Sequence, residues 1–227
     1  MLTKFNRLPE KMQTDDVRRY YEILDKKRGM LFAKRLFDIV VSFIMIAVMS
    51  VFFIIIAVAI KLDSRGPVFY RQQRYTRDMR KFRIFKFRSM VRDADSSGPL
   101  VTVLDDARVT KVGAFLRNAR LDELPQLINV LIGDMSFVGT RPEVEKYVSR
   151  YTGPMLATLL IPAGITSRTS IEFKDEAELL KNTQDADEVY VDRILPKKME
   201  LNLKYIENLG FFDDIKILFS TLFAVSK

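Results

Sequence analysis

From Ile39 to Ile60 the chain runs for 22 residues without a charge, with only Ser42 and Ser50 as hydroxyls. At 1.5 Å per residue this run makes roughly 33 Å of helix, enough to match a bilayer's hydrocarbon core. Val, Ile, Phe and Met occupy every face of it, more apolar surface than a small soluble domain covers. A cleaved signal peptide fits poorly, because the run is longer than an h-region and Lys61-Leu-Asp-Ser-Arg-Gly66 follows where small residues belong. Both flanks are basic: Lys26, Lys27, Arg28, Lys34 and Arg35 before it, Lys61, Arg65, Arg71, Arg74 and Arg77 after it. Cations close to the ends of a span stay on the cytoplasmic side, so the pattern predicts a helix that enters, bends and leaves by the same face. Ser50, near the middle, is the predicted bend through a hydroxyl bond to a preceding carbonyl. Asp38 is predicted to pair with Lys34 or Arg35 at the interface.

Elsewhere the periodicities are those of one compact unit. Residues 1–33 read as an accessory helical arm, with Val17, Tyr20, Tyr21 and Leu24 at helical spacing. After Pro67, Val-Phe-Tyr and then Phe82, Ile84, Phe85 and Phe87 alternate with Arg and Lys, which predicts a short hairpin with a cationic polar face. Asp93 to Asp106 reads as a loop. In Arg120-Leu-Asp-Glu-Leu-Pro-Gln-Leu-Ile-Asn-Val-Leu131 the residues Leu121, Leu124, Leu127, Ile128 and Leu131 form one helical stripe and Asp122, Gln126 and Asn129 the opposite one. Pro125 suits only a first turn, so this helix is expected to start near Asp122. Phe211, Phe212, Ile215, Leu218, Phe219, Leu222 and Phe223 give a C-terminal helix a broad apolar face, suited to a membrane interface or to a core.

Composition narrows the chemistry. The 227 residues include no Cys and no His, which excludes disulfides, thiol nucleophiles, histidine acid/base chemistry and Cys/His zinc sites. A metal would need oxygen ligands and so resemble Mg²⁺. The net charge of +8 is uneven: residues 1–92 carry 21 basic and 8 acidic side chains, residues 93–227 carry 16 and 21. The basic half holds the apolar run, which suggests an anionic lipid surface or a phosphate. Lys86 and Arg88 are candidate phosphate contacts within that half. Asp122 and Glu123, with Arg117 and Arg120 before them and Arg141 after, look like a site for a Mg²⁺-bound diphosphate; a helix cap with a dipole-favoured acid is the structural alternative. Adjacent acids lie about 100° apart on a helix, so one carboxylate can attack while the other holds a metal or relays a proton.

The chain resembles the bacterial sugar transferase family, the single-domain polyprenyl-phosphate phosphoglycosyl transferases that start glycan assembly. The likeness rests on Lys34-Arg-Leu-Phe-Asp38, Gly66-Pro-Val-Phe-Tyr-Arg-Gln-Gln-Arg74, Lys86-Phe-Arg-Ser-Met90 and Asp106-Ala-Arg-Val-Thr-Lys-Val-Gly113. It continues through Leu121-Asp-Glu-Leu-Pro-Gln126, Gly133-Asp-Met-Ser-Phe-Val-Gly139 and Arg141-Pro142. The resemblance implies that Asp122 attacks the sugar-side phosphorus of a UDP-sugar, releasing UMP, and that a polyprenyl phosphate, undecaprenyl phosphate in bacteria, then takes the phosphosugar from the aspartate in a ping-pong cycle. It implies Glu123 as the second dyad member, Asp122 and Glu123 as the Mg²⁺ ligands, and Lys86, Arg88, Arg117, Gln126 and Arg141 as substrate-binding positions. It also implies an α+β, mostly helical fold: a re-entrant membrane helix over 34–62, a small cytoplasmic catalytic domain over 63–227, and interfacial amphipathic helices. The expected location is the cytoplasmic face of the bacterial inner membrane; membrane lipid is a partner, nucleic acid is not, and a homodimer is left open.

Three departures stand out. Ser50 is followed by Val51 where the family has proline, the family's Pro-Arg-Pro is Thr140-Arg141-Pro142, and its Pro-Gly-Ile-Thr-Gly-Trp is Pro162-Ala-Gly-Ile-Thr-Ser-Arg-Thr169, with Ala163 inserted. The last loop is a candidate determinant of the accepted sugar. The rival from another class is a noncatalytic membrane-surface module that binds anionic lipid or nucleic acid through the basic hairpin.

Overall fold

The computed structural model describes residues 2–92, 94, 107–173 and 186–225. The expected Asp93–Asp106 loop, Ala94 aside, lies outside the described residues, as does most of the acidic stretch from Glu172 to Glu188. In chain order the elements are α1 (Asp15–Lys26), α2 (Arg28–Val48), α3 (Ser50–Asp63), β1 (Phe69–Tyr75), β2 (Lys81–Phe87), α4 (Lys111–Asn118), α5 (Gln126–Ile132), β3 (Met135–Val138), α6 (Glu145–Val148), β4 (Ala163–Thr166), α7 (Arg168–Glu172), α8 (Ala186–Val189), α9 (Leu195–Glu207) and α10 (Phe211–Val225). The mostly helical α+β fold expected from the sequence is the fold observed.

Thr14 caps α1 by accepting the Val17 backbone N–H at 3.4 Å, and Asp15 and Asp16 occupy its first turn, the charge pattern a helix N-terminus favours. Val17, Tyr20 and Leu24 are buried on one face, where they join Leu2, Leu8 and Met12 in a hydrophobic cluster with Leu127, Val138, Leu160 and Ile206. The N-terminal segment is therefore packed into the body of the chain, with α1 against α9 and the 3-10 segment Gly153–Leu160.

Helices α2 and α3 share the apolar run and meet at Met49 with a bend of 62°. Met49 has φ −88° and ψ 4°, the bridge region between helical and extended backbone. The break thus falls one residue before Ser50 and needs no proline. The hydroxyl back-bonding expected of Ser50 is made by Ser42, to the Asp38 carbonyl at 2.5 Å. Among the described residues no single helix is long and apolar enough to cross a membrane, whereas this bent pair passes by length and composition. Phe43, Val48, Val51, Ile54, Ile55, Val58 and Leu62 are all exposed, a contiguous apolar surface of the kind that marks a membrane or partner contact.

The foot of α2 is polar and tightly held. Lys34 forms a buried ion pair with Asp214 of α10, whose second oxygen accepts from the Tyr205 hydroxyl at 2.7 Å. Arg35 donates to the Val130 and Leu131 carbonyls at the end of α5, at 2.6 and 2.8 Å. Asp38 accepts the Phe137 backbone N–H of β3 at 3.1 Å. The expected Asp38 pairing with Lys34 or Arg35 is corrected accordingly: both cations are drawn to partners on α10 and α5, and the Phe137 N–H of β3 takes the carboxylate.

The predicted hairpin is present. Strands β1 and β2 pair antiparallel from Phe69 opposite Phe87 to Tyr75 opposite Lys81, and buried Phe82 and Ile84 alternate with exposed Lys81 and Arg83. Strands β3 and β4 pair in parallel, Met135 opposite Ala163 and Val138 opposite Thr166. Gly164 of β4 passes so close to the backbone just after β3 that a Cβ on it would lie 2.2 Å from the Gly139 nitrogen, so only glycine fits there.

Truncating one partner of the Lys34–Asp214 pair leaves a buried charge and the Tyr205 hydroxyl without a partner. Asp214→Ala is expected to destabilise the protein by about 3 kcal/mol, whereas Arg19→Ala, which removes the exposed Arg19–Glu207 pair, costs under about 1 kcal/mol. Thermal unfolding of both variants in one detergent checks the ranking, and equal losses would contradict it.

Candidate active site

The residues Leu121-Asp-Glu-Leu-Pro125 do not begin an α-helix. Leu121–Glu123 is a 3-10 turn, and α5 starts only at Gln126, which corrects the expected start near Asp122. The reason lies on both sides of the turn. Arg120 takes a left-handed conformation with φ 55°, ending the run from α4. Pro125 cannot donate into a helix upstream of itself, so the Leu124 N–H closes a short bond to the Leu121 carbonyl at 3.2 Å. Leu121 and Leu124 pack against Ile56 and Ile60 of α3, Phe87 of β2 and Leu116 of α4. Two leucines thereby seat the acidic pair at the base of the apolar helix, and the 3-10 geometry turns neighbouring side chains about 120° apart.

Glu123 is surrounded by cations. Lys86 of β2 approaches its Oε1 to 2.6 Å, and an Arg141 nitrogen lies 3.4 Å from the same oxygen. Burial would raise the Glu123 pKa, but Lys86, Arg141 and Arg120 together hold it well below the usual carboxylate range. Asp122 shifts the other way. Burial raises its pKa and the Glu123 charge adds to this, while Lys86 and Arg117 oppose them. One carboxylate is thus a fixed anion and its neighbour a more basic one, a difference suited to metal or cation binding by the first and nucleophilic or proton chemistry by the second.

The structure brings Asp122, Glu123, Lys86, Arg117 and Arg141 into one electrostatic cluster. Gln126 is buried at the start of α5, 2% exposed, so it adjoins the pair in sequence while its side chain is packed inward. Asn129, expected on a polar stripe, is also buried: it accepts the Phe85 N–H at 2.8 Å and donates to the Arg83 carbonyl at 3.1 Å, stitching α5 to β2. Arg88 is placed apart from the cluster. It is buried under α3 and donates to the Pro67 carbonyl at 2.5 Å, the Ser64 carbonyl at 2.6 Å and the Ile60 carbonyl at 3.2 Å, so its place in the fold is that of a cap on the α3 C-terminus.

A cavity of 240 Å³ opens beside Glu123. Arg120 and Arg141 stand at it with Glu123, Leu124, Leu127, Phe137 and Ile165 give it apolar walls, Met45 comes from α2, and Thr221 and Ala224 come from α10. The contribution of α10 was missed from sequence, since its apolar face carries no chemical signal; Thr166 and Thr221 share a hydrogen bond of 2.6 Å across this wall. For a metal, the donors are the two carboxylates alone, because no group of three Asp, Glu, His or Cys residues arranged to hold an ion occurs among the described residues. That donor set suits Mg²⁺, which usually takes one or two carboxylates and completes its shell with water and substrate phosphates.

The bacterial sugar transferase profile matches residues 29–227. The chain belongs to the bacterial sugar transferase family. It is 39% identical over 195 residues to a UDP-glucose:undecaprenyl-phosphate glucose-1-phosphate transferase of Klebsiella pneumoniae, covering 84% of this chain and 39% of that protein. It is 36% identical over 194 residues to a UDP-N-acetylgalactosamine-undecaprenyl-phosphate N-acetylgalactosaminephosphotransferase of Aeromonas hydrophila, covering 84% of this chain and 43% of that protein. A Bacillus subtilis protein named as an uncharacterized sugar transferase is 34% identical over 189 residues, which is 83% of this chain and 85% of its own length. The sugar transferase chain therefore spans about two fifths of the Klebsiella and Aeromonas relatives and most of the Bacillus one.

The opposed charges around Asp122 give its titration a definite sign. Glu123→Gln removes an anion and is expected to lower the Asp122 pKa; Lys86→Met removes a cation and is expected to raise it. Carboxyl ¹³C NMR of aspartate-labelled protein across pH 3–8 measures both, and shifts of the same sign would refute the arrangement.

Proposed function

We propose that this chain transfers a phosphosugar from a UDP-sugar to a membrane polyprenyl phosphate, releasing UMP, through a covalent aspartyl phosphosugar. The observation that carries the proposal is the acidic pair itself: Glu123, held by Lys86 and Arg141, lines an apolar cavity walled partly by the bent helix, and the adjacent Asp122 shares the same cationic cluster. The relatives' names add the substrate classes: UDP-linked sugars and undecaprenyl phosphate.

In the first step an Asp122 oxygen attacks the sugar-side phosphorus, forming a P–O bond as the bond to the UMP oxygen breaks. In the second, a phosphate oxygen of the polyprenyl phosphate attacks the same phosphorus and the Asp122 carboxylate leaves, giving a polyprenyl diphosphate sugar. Arg141, Lys86 and Arg117 offset the charge of the diphosphate. Asp122 and Glu123 would hold Mg²⁺, which supplies further charge neutralisation at the diphosphate when bound. The exposed apolar surface of α2 and α3, bent by 62° with basic residues at both ends, supports a re-entrant helix that keeps the site on the cytoplasmic face of a bacterial inner membrane. Phe212, Phe219 and Phe223, exposed along α10, support a second, interfacial contact with lipid.

Purified protein given Mg²⁺ and a panel of UDP-sugars without acceptor is expected to release one equivalent of UMP and to carry a phosphosugar adduct on the peptide containing Asp122. Asp122→Asn lowers the burst rate by at least about 10³-fold with an unchanged circular dichroism spectrum, and chelation of Mg²⁺ stops turnover reversibly. Absence of UMP and adduct across the panel, from protein that still binds anionic vesicles, would favour the membrane-surface module. Because the chain has no native cysteine, Glu10→Cys and Arg65→Cys report topology directly: a membrane-impermeant maleimide should label both from the cytoplasmic side, and labelling from opposite sides would exclude a re-entrant helix.

A further inference from the structure

The Gly66–Arg74 motif ends on a residue that the two steps above leave unused. Arg74 donates from Nε and one terminal nitrogen to the Gln72 Oε1 at 3.0 and 2.6 Å. Its other terminal nitrogen donates to the Pro142 carbonyl at 3.2 Å and lies 3.9 Å from a Glu143 carboxylate oxygen. Glu143 is held in turn: its carbonyl accepts the Tyr75 N–H at 3.1 Å and its Oε1 accepts the Tyr190 hydroxyl at 2.7 Å. Lys198 donates to that hydroxyl at 3.2 Å. Glu143, Tyr190 and Lys198 are all buried. On the other side of Arg141, the Thr140 hydroxyl donates to the Thr158 carbonyl at 3.2 Å and the Thr140 carbonyl accepts the Gly164 N–H at 2.8 Å. Arg141 is thus suspended between two anchored neighbours, and reaches from there to Glu123.

We propose that Arg74 is a positioning residue that, with Gln72, Glu143 and Tyr190, sets where the Arg141 guanidinium stands relative to Glu123 and to the diphosphate of the donor. This rests on the reaction proposed above. The geometry requires arginine: a lysine keeps the charge but cannot bond the Gln72 side chain and the Pro142 carbonyl in one rigid fork. Thr140 stands where the resembled motif has a proline, so no ring fixes the backbone before Arg141, and the carbonyl anchor after it gains weight. Displacement of a phosphate-facing cation by about 1 Å is enough to slow a reaction on the order of 100-fold.

The test is a double-mutant cycle on the full chain in lipid nanodiscs, with Arg74→Lys, Arg141→Lys and the double variant, read by rapid-quench release of UMP from the UDP-sugar that gives the wild-type burst. Burst amplitude reports the folded, competent fraction; burst rate constant reports the chemical step. Arg74→Lys is expected to keep the amplitude and slow the rate by about 10- to 100-fold. The double variant should be no more than about 2-fold slower than Arg141→Lys alone, because Arg74 acts through Arg141. A fall in amplitude at unchanged rate would overturn the proposal in favour of a fold-stabilising role, and multiplicative losses would overturn it in favour of an independent contact. A wild-type burst that Arg74→Lys leaves unchanged would remove the positioning role alone, whereas no wild-type burst with any donor would remove the reaction and the role together.

Discussion

A helix that is apolar on every face has no preferred face of its own, so the bent pair takes its orientation from the polar groups at its foot. The decisive contact is the buried Lys34–Asp214 ion pair, with Tyr205 satisfying the second carboxylate oxygen. Such a pair adds little net stability, because desolvation of both charges offsets their attraction. Its effect is on register: sliding or rotating α2 would strand a charge in the interior. Arg35 on the α5 carbonyls and Asp38 on the β3 backbone add two further constraints within four residues. Through these contacts one turn of helix fixes α10, α5 and β3, the elements that wall the cavity and follow the acidic turn.

The hairpin and the acidic pair were legible because their signals are local. Alternation of Phe and Ile with Lys and Arg dictates a half-buried strand, and β2 buries Phe82, Ile84 and Phe87 and leaves Phe85 partly exposed. Two acids among basic motifs, with no Cys or His to compete, left few places for chemistry. Helical periodicity misled where a turn intervened: left-handed Arg120 and Pro125 cut the helix short, and α5 buries Gln126 and Asn129 of the polar stripe with Leu127 and Val130, while Leu121, Leu124, Ile128 and Leu131 are only partly buried. Arg88 shows a different limit. Its sequence neighbourhood is as basic as that of Lys86, and only the path of α3 decides that one meets carbonyls and the other a carboxylate. Asp38 likewise had cations nearby in sequence, yet its partner is a backbone N–H almost a hundred residues away. Local charge says what a residue can bind; which partner arrives is a property of the tertiary path.

The two carboxylates differ by what surrounds them rather than by what they are. Adjacent in sequence and on one turn, they divide because Lys86 and Arg141 converge on Glu123 from β2 and from the loop after β3. Glu123 is thereby committed as an anion, and its charge raises the proton affinity of Asp122. A nucleophile benefits from that inequality. A carboxylate bound by two cations is a poor electron donor, whereas a neighbour facing an anion keeps its basicity while the surrounding arginines still attract a diphosphate.

In the reaction proposed above, joining a water-soluble anion to a lipid anion sets a geometric problem that a covalent intermediate would answer by sequence in time rather than by size. Simultaneous binding would bring two phosphates together in one cleft, against strong repulsion. The 240 Å³ cavity beside Glu123 would not need to hold both if the phosphosugar waited on Asp122 between them. What the site then needs is an acidic turn that meets both the basic cluster and the apolar wall. The turn between α4 and α5 does so, because Leu121 and Leu124 root it on α3, Glu123 and Leu124 line the cavity, and Arg117, Arg120 and Arg141 bring positive charge to the acidic pair. Shortening the helix at Pro125 leaves Asp122 on a 3-10 turn between α4 and α5, beside Glu123 and within the fields of Lys86 and Arg117, rather than in the first turn of α5.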